Sequence, residues 1–524
     1  MEVTGDTTYT SQSVVVGDFV QLGYLYYEVI KASDTRSPLV NQNNVRFVPA
    51  QDTNIHIFGN GETTVLDGNG RNNRDVQNDV EPWRSHGILL CGVTRSSIRD
   101  LTIKDSAMYG ISLENGCCYM KLHDIHFDQP GWSFGEGIPN QDGIDLRFGC
   151  YHVSIRGITG WTGDYVIALT ALHPINVENY GYVSRPVQLN QRYDFHGAHI
   201  RFVTISDIKA IPRGSHHTIR LLTSDDREIS DVTIRDVHDS TTAREVLGNE
   251  YGVDRAEAVI LIGDKKYGRD PSPTARSISN VRISNVSGLA RHIIQFKWSA
   301  SRIFIDGIST AYLAEYGPVA DGTPKSLLQN LITFMDGTHP TETCVVQDLI
   351  LDGAQTGNDV PLDQSGAPSW KDVGSVVEIR KNVEVRRAAF NNVQVFAAQQ
   401  LLYMFDDAKA DKIAFTGWNG YQIGLMGFRV KAGSRHLESS GAVRSFFSRR
   451  NFYLDHPAEN NCFYSTSQFM TFDRTCPEVT VNDIVPTPVL GSELTFDVGA
   501  LGSNTQKVLA RGNGSGWDVI RTLN

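Results

Sequence analysis

The chain has 524 residues, a formal net charge of −11 and 20% charged residues, with no basic tract among them. That balance argues against a protein that tracks nucleic-acid phosphates, and no apolar run reaches the ~20 residues of a membrane-spanning helix. The 47 glycines and 19 tyrosines, with many Asn, Asp, Thr and Val, suit a turn-rich all-β chain.

In chain order, the first residues, MEVTGDTTYTSQSVVVGDF, show no basic segment followed by an apolar run, so no signal peptide is read in them. Short strand-like runs such as SVVVGDFVQLGYLYYEVI suit an N-terminal cap over residues 1–45. From Val45 a motif begins to return: a short apolar strand, a Gly/Asn/Asp turn, then a second strand ending in Asp, Asn or Ser. The second strand reads SIRDLTIKDS (97–106), MKLHDIHFDQ (120–129), VSIRGITGWT (153–162) and VTISDIKAI (203–211), and continues to VVQDLILDGA (345–354). Alternating apolar and polar residues make these strands, and separations from 23 to about 50 residues suit stacked coils with variable loops. One coil cannot bury its apolar face alone, whereas a stack shares one core and leaves no long free edge except at its ends. The expectation is a parallel β-helix over residues 46–420. The stretch 421–524, punctuated by Gly, Pro and aromatics, is expected to be a C-terminal β-rich cap or accessory region.

Seven cysteines give no CxxC and no zinc spacing. Cys91, Cys117 or Cys118, and Cys150 each follow a G-I-x-L strand and are expected to stack as an internal ladder of small side chains. Cys462 and Cys476 could bridge in an oxidising compartment.

The G-I-x-L strands carry the chemistry. HGILL (86–90), YGISL (109–113), DGIDL (142–146), YVIAL (165–169) and HTIRL (217–221) superpose, and IIQFK (293–297) follows further on. Their Ile and Leu point inward, so Ser112, Glu114, Asp145, Arg147, Thr170, Arg220, Gln295 and Lys297 line the outer face. With coils ~4.8 Å apart, Asp142, Asp145, Asp164 and His217 share one patch. Arg147, Arg220 and Lys297 lie within reach. Carboxylates stacked on successive coils can protonate a glycosidic oxygen and activate a nearby water.

Several motifs carry a resemblance. PNQDGID resembles the N-T-D-G-I-D signature of glycoside hydrolase family 28, the polygalacturonases and their relatives. TGDYVIAL resembles that family's G-D-D-C-I-A-I, GSHHTIRL stands at its G-H-G, and NIHIFGNGETTVLDGNG (54–70) resembles its early glycine-rich coil. The similarity spans roughly residues 54–300. It implies a right-handed parallel β-helix, the pectate-lyase or polygalacturonase type of solenoid, and inverting hydrolysis of a polysaccharide without a metal or other cofactor. By motif position Asp164 would be the general acid, Asp142 the base holding water, and His217 an orienting residue, with His216 beside it as the other choice. Tyr165 stands where the motif has its second aspartate, and the R-I-K position falls on Ile260-Leu261-Ile262. These departures point away from galacturonan and toward another glycan, with Arg220 and Lys297 taking over substrate binding. Tyr165 is then a stacking or hydrogen-bonding wall, and Trp132, Phe134 and Trp161 are sugar platforms or loop packing.

Each residue also has a plain structural reading, since Asp and Asn are common at β-helix turns, where they cap backbone groups. Three other functions stay open on the same fold. A polysaccharide lyase would use Arg147, Arg220 or Lys297 as base. A glycan-binding tailspike or adhesin body, as a homo-oligomer, would bind without cleaving. An intramolecular glycosyl transferase would use the same acids.

Overall fold

The structure, a computed structural model, describes residues 52–70, 86–114, 116–129, 140–171, 199–213, 216–223, 227–241, 256–263, 277–310, 329–335, 343–357, 374–405 and 408–418, and outside these only the backbone of further strands. The chain is all-β, a right-handed parallel β-helix with flanking extensions. It divides into two units, Met1–Ile234 with Lys265–Ser272, and Arg235–Asp264 with Pro273–Asn524.

In the first unit short and long strands alternate. The short strands are Ile88–Cys91, Ile111–Glu114, Ile144–Arg147, Ile167–Ala171 and His217–Thr223. They pair in parallel with Ile88 on Ile111, Ile111 on Ile144, Ile144 on Ile167 and Ile167 on Ile219, as the G-I-x-L alignment predicts. Ile111, Ile144, Ile167 and Ile219 are each fully buried. Burial of such a side chain is worth about 1.5–3 kcal/mol, so the column is a main source of cohesion. Glycine precedes isoleucine in three of these strands for lack of space. A Cβ on Gly143 would sit 2.5 Å from the Val166 carbonyl oxygen, and one on Gly87 2.6 Å from that of Gly110.

The long strands Ser97–Lys104, Cys118–Asp128, Tyr151–Thr162 and Ile200–Pro212 stack in the same way. Each is bent by a residue in the left-handed region: Asp100, Asp124, Gly157 and Asp207, with φ of 55, 56, 66 and 54°. Asp and Gly tolerate this region better than other residues. The bend shifts the alternation by one, so Ile98, Leu101 and Ile103 all face the core despite their spacing. A second left-handed column, Tyr119, His152 and Phe202, stacks its exposed rings 4.8 Å apart.

Cys117 and Cys150 occupy one internal column: their thiols donate to the Leu90 and Leu113 carbonyls at 3.3 and 3.2 Å. Cys91 falls outside it, because Cys91 ends its strand on the face shared with Glu114. Cys462 and Cys476 lie outside the described residues. The N-terminal strands Glu2–Val3, Phe19–Leu22, Leu25–Val29 and Val45–Val48 form a small mixed sheet of their own.

In the second unit the short strands Ala258–Ile262, His292–Phe296, Asn330–Phe334 and Ser375–Ile379 pair through Ile260, Ile294, Ile332 and Val377. Phe296 stacks on Phe334 at 4.9 Å inside the coil. Parallel pairing continues past residue 420 as far as Met470–Phe472. An antiparallel sheet of Glu493–Val498, Gln506–Gly512 and Trp517–Leu523 follows.

Candidate active site

The ladder of short strands in the first unit places the acids. One column on its outer face runs Leu89, Ser112, Asp145, Ala168, Arg220, and the next runs Cys91, Glu114, Arg147, Thr170. Ahead of the strands, Gly110 N–H donates to the Asp142 carbonyl and Gly143 N–H to that of Tyr165, both at 2.8 Å. Those bonds put Tyr109, Asp142 and Tyr165 in successive coils at equivalent positions. Asp164 precedes Tyr165 on a turn held by the Thr162 hydroxyl, which donates to the Asp164 carbonyl at 2.8 Å, and by the Asp164 N–H on the Gln141 carbonyl at 3.2 Å.

Asp142 and Asp145 are buried, 4% and 2% exposed, and their side chains are hydrogen-bonded to each other. Two carboxyl groups can bond only if one holds a proton. Burial, then the charges of Asp145 and Asp164, hold the Asp142 carboxyl well above the ordinary range, against the opposing pull of Arg220. Burial also raises Asp145, to about 7, although Arg147 and the bond from Asp142 work the other way. Burial and mutual repulsion thus hold the pair toward a state in which one proton serves both carboxyls.

Asp164 is placed differently. Its Oδ1 lies 2.9 Å from the His216 Nδ1, and the two side chains are 12% and 26% exposed, so this pair is the more accessible edge of the cluster. The neighbouring His217 does not make that contact in the same way: its ring stacks on Tyr165 at 5.6 Å, while His216 meets Tyr165 edge-on at 5.4 Å. The Arg220 guanidinium lies 4.5 Å over the Tyr165 ring and covers that face of it.

Arg147 lies 3.7 Å from the fully buried Glu114, which also accepts from the Ser112 hydroxyl at 2.9 Å. The Arg147 guanidinium lies 5.3 Å over the Tyr109 ring. Sequence reasoning assigns neither Tyr109 nor Glu114 a part in the chemistry. The signal is present nonetheless, because YGISLE aligns with DGIDLR and puts Tyr109 at the Asp142 position and Glu114 at the Arg147 position. Asp142, Asp145, Asp164, His216, His217, Tyr165, Arg147 and Arg220 thus all lie in the first unit, while Lys297 lies in the second. Trp132 and Phe134 fall outside the described residues. Trp161 is covered by the Arg213 guanidinium at 4.6 Å. No group of three or more metal-ligating side chains occurs among the described residues.

No protein-family model matches the chain, and no curated protein matches it. Among solved structures it is similar to an endo-xylogalacturonan hydrolase from Aspergillus tubingensis, at 10% identity over 80% of this chain and 91% of that one, with a TM-score of 0.37. It is also similar to PfbA, a surface adhesin of Streptococcus pneumoniae, at 8% identity over 83% and 88% of the two chains, with a TM-score of 0.39.

Proposed function

We propose that the first unit hydrolyses a glycosidic bond by acid–base catalysis, with the Asp142–Asp145 pair as proton donor and Asp164 as the base that activates water. The observation that carries this reading is the contrast between the carboxyls. One pair shares a proton in a buried setting, and a third carboxylate stands at the accessible edge with an imidazole 2.9 Å away. A buried proton-holding pair beside a less buried carboxyl on the next coil is an arrangement in which one group can protonate a leaving oxygen and the other can receive a proton from water. The roles run opposite to those that motif position implies for Asp142 and Asp164. His216 orients Asp164, and Arg147 and Arg220 keep the cluster from accumulating uncompensated negative charge.

The test is a glycan panel with wild type, Asp142→Asn and Asp164→Asn, followed by reducing ends and by absorbance of unsaturated uronate. Reducing ends that fall at least ~100-fold in both variants support the assignment, that being the lower range for loss of acid–base catalysis. Unsaturated product would move the chemistry to elimination. A glycan that binds and is never cleaved would make this face a recognition surface, the reading of a glycan-binding β-helix.

A further inference from the structure

The second unit carries a polar cluster of its own on the outer face of its short strands. His292 is 4% exposed, Asn330 1%, and Gln295 and Thr333 not at all. Hydrogen bonds fix every orientation there. The Asn330 carbonyl accepts from the Ser375 N–H at 2.7 Å, so its amide nitrogen faces Glu378 at 2.7 Å and the His292 Nδ1 at 3.3 Å. A nitrogen that faces a donor must accept, and the Thr333 hydroxyl donates to the same Nδ1 at 2.8 Å. His292 is therefore neutral, with its proton on Nε2, 3.5 Å from Glu257 Oε1. Burial lowers the His292 pKa in agreement.

Gln295 is fixed by the same logic. Its amide nitrogen donates toward Glu257 Oε1 at 3.4 Å and toward the Met335 sulfur at 3.1 Å. Rotating the amide would set its oxygen against a carboxylate, which only accepts. The Gln295 carbonyl is thereby turned away from both, and it is a buried acceptor that no donor among the described residues reaches. A buried, unmet acceptor costs about 1–3 kcal/mol, so such a group calls for a donor. Glu257 has room as well: its contacts to His292, Gln295 and Arg291 are all 3.4–3.5 Å, longer than good hydrogen bonds. Its side chain is 25% exposed.

What remains to be filled is a set of acceptors, and the occupant must donate. Arg291 and Lys297 already act on Glu257, and Arg380 and Glu378 act on His292 with opposite signs, so a neutral donor leaves the local charge balance as it stands. Hydroxyl groups are neutral donors of this kind, and a sugar presents several of them side by side. We propose that Glu257 and Gln295 form a binding site for a neutral sugar, whose hydroxyls donate to the Gln295 carbonyl and the Glu257 carboxylate. The proposal does not depend on the chemistry assigned to Asp142 and Asp164.

The experiment is calorimetric titration of the full chain with cello-, manno-, xylo- and galactotetraose and a rhamnose oligomer, each alone. It uses wild type, Glu257→Gln, Gln295→Leu and Asp142→Asn, with thermal melts as a check on folding. The expected result is that at least one of these sugars binds, at least tenfold more weakly in Glu257→Gln and Gln295→Leu and unchanged in Asp142→Asn. Glu257→Gln keeps shape and volume, so it stays informative if Gln295→Leu fails to fold. The proposal is overturned if none of the five binds, or if binding survives Glu257→Gln. Loss in Asp142→Asn alone would place the sugar in the first unit and overturn it too.

Discussion

At the scale of single residues, the Asp142–Asp145 pair links protonation to stability. Asp145 has its pKa raised from 3.8 to about 7 in the folded chain, chiefly by burial. A raised carboxyl binds its proton more tightly folded than unfolded. Its stabilising contribution is therefore complete below about pH 4 and is lost as pH climbs through about 7. Asp145→Asn keeps the neutral form at every pH. It is expected to melt close to wild type at pH 4 and above it at pH 8, by an amount on the order of a few kcal/mol. Melting curves of both proteins at the two pH values check this, and a gap that does not widen with pH would remove the shared proton. Which side chains share the outer column was legible beforehand, because parity along DGIDL and YVIAL decides it. Parity could not tell that Asp142 hydrogen-bonds Asp145, since that depends on side-chain rotamers. Nor could it choose between His216 and His217, because they straddle the end of a strand where alternation stops applying.

At the scale of the element, glycine does two different jobs. Gly143 lies where coils approach closely, and the atom a Cβ would strike is backbone, which cannot step aside. Gly143→Ala is expected to cost about 1–3 kcal/mol through overpacking, read as a lowered urea midpoint. Gly307 serves conformation instead. Its φ is 63°, an added Cβ would find its nearest neighbouring atom 3.7 Å away, and the adjacent residue in the same corner column is Asn285. Asn285 donates to Asp236 at 2.8 Å across coils. Gly307→Asn is therefore expected to change stability by no more than about 0.5 kcal/mol, with a gain where the unfolded chain loses freedom. Equal costs at the two sites would contradict this division. The register of the short strands was readable because an identical G-I-x-L parity recurs. The corners were harder, because Asp100 and Asp124 look like ordinary polar positions in an alternating strand until one left-handed residue shifts the phase.

For the whole molecule, the governing fact is that a coil in a stack touches only its neighbours, so stability is close to a sum of local terms. The recurrence that exposes this architecture in sequence runs from Val45 and weakens near Gly420, where loops and strands no longer repeat in length. Parallel pairing nevertheless continues to Met470–Phe472, since backbone ladders tolerate side chains that have lost the motif. Phe334 tests the local-sum view. It is fully buried, stacks on Phe296, and pairs with Phe296 on one side and Ile379 on the other. Phe334→Ala is expected to cost about 3–5 kcal/mol. In hydrogen exchange, protection should fall most in His292–Phe296 and Ser375–Ile379, which pair directly with its strand. It should fall less in Ala258–Ile262, one coil further off. A uniform loss across all three strands would mean that the coils unfold as one cooperative block, and energies measured at one coil could not then be assigned to it alone.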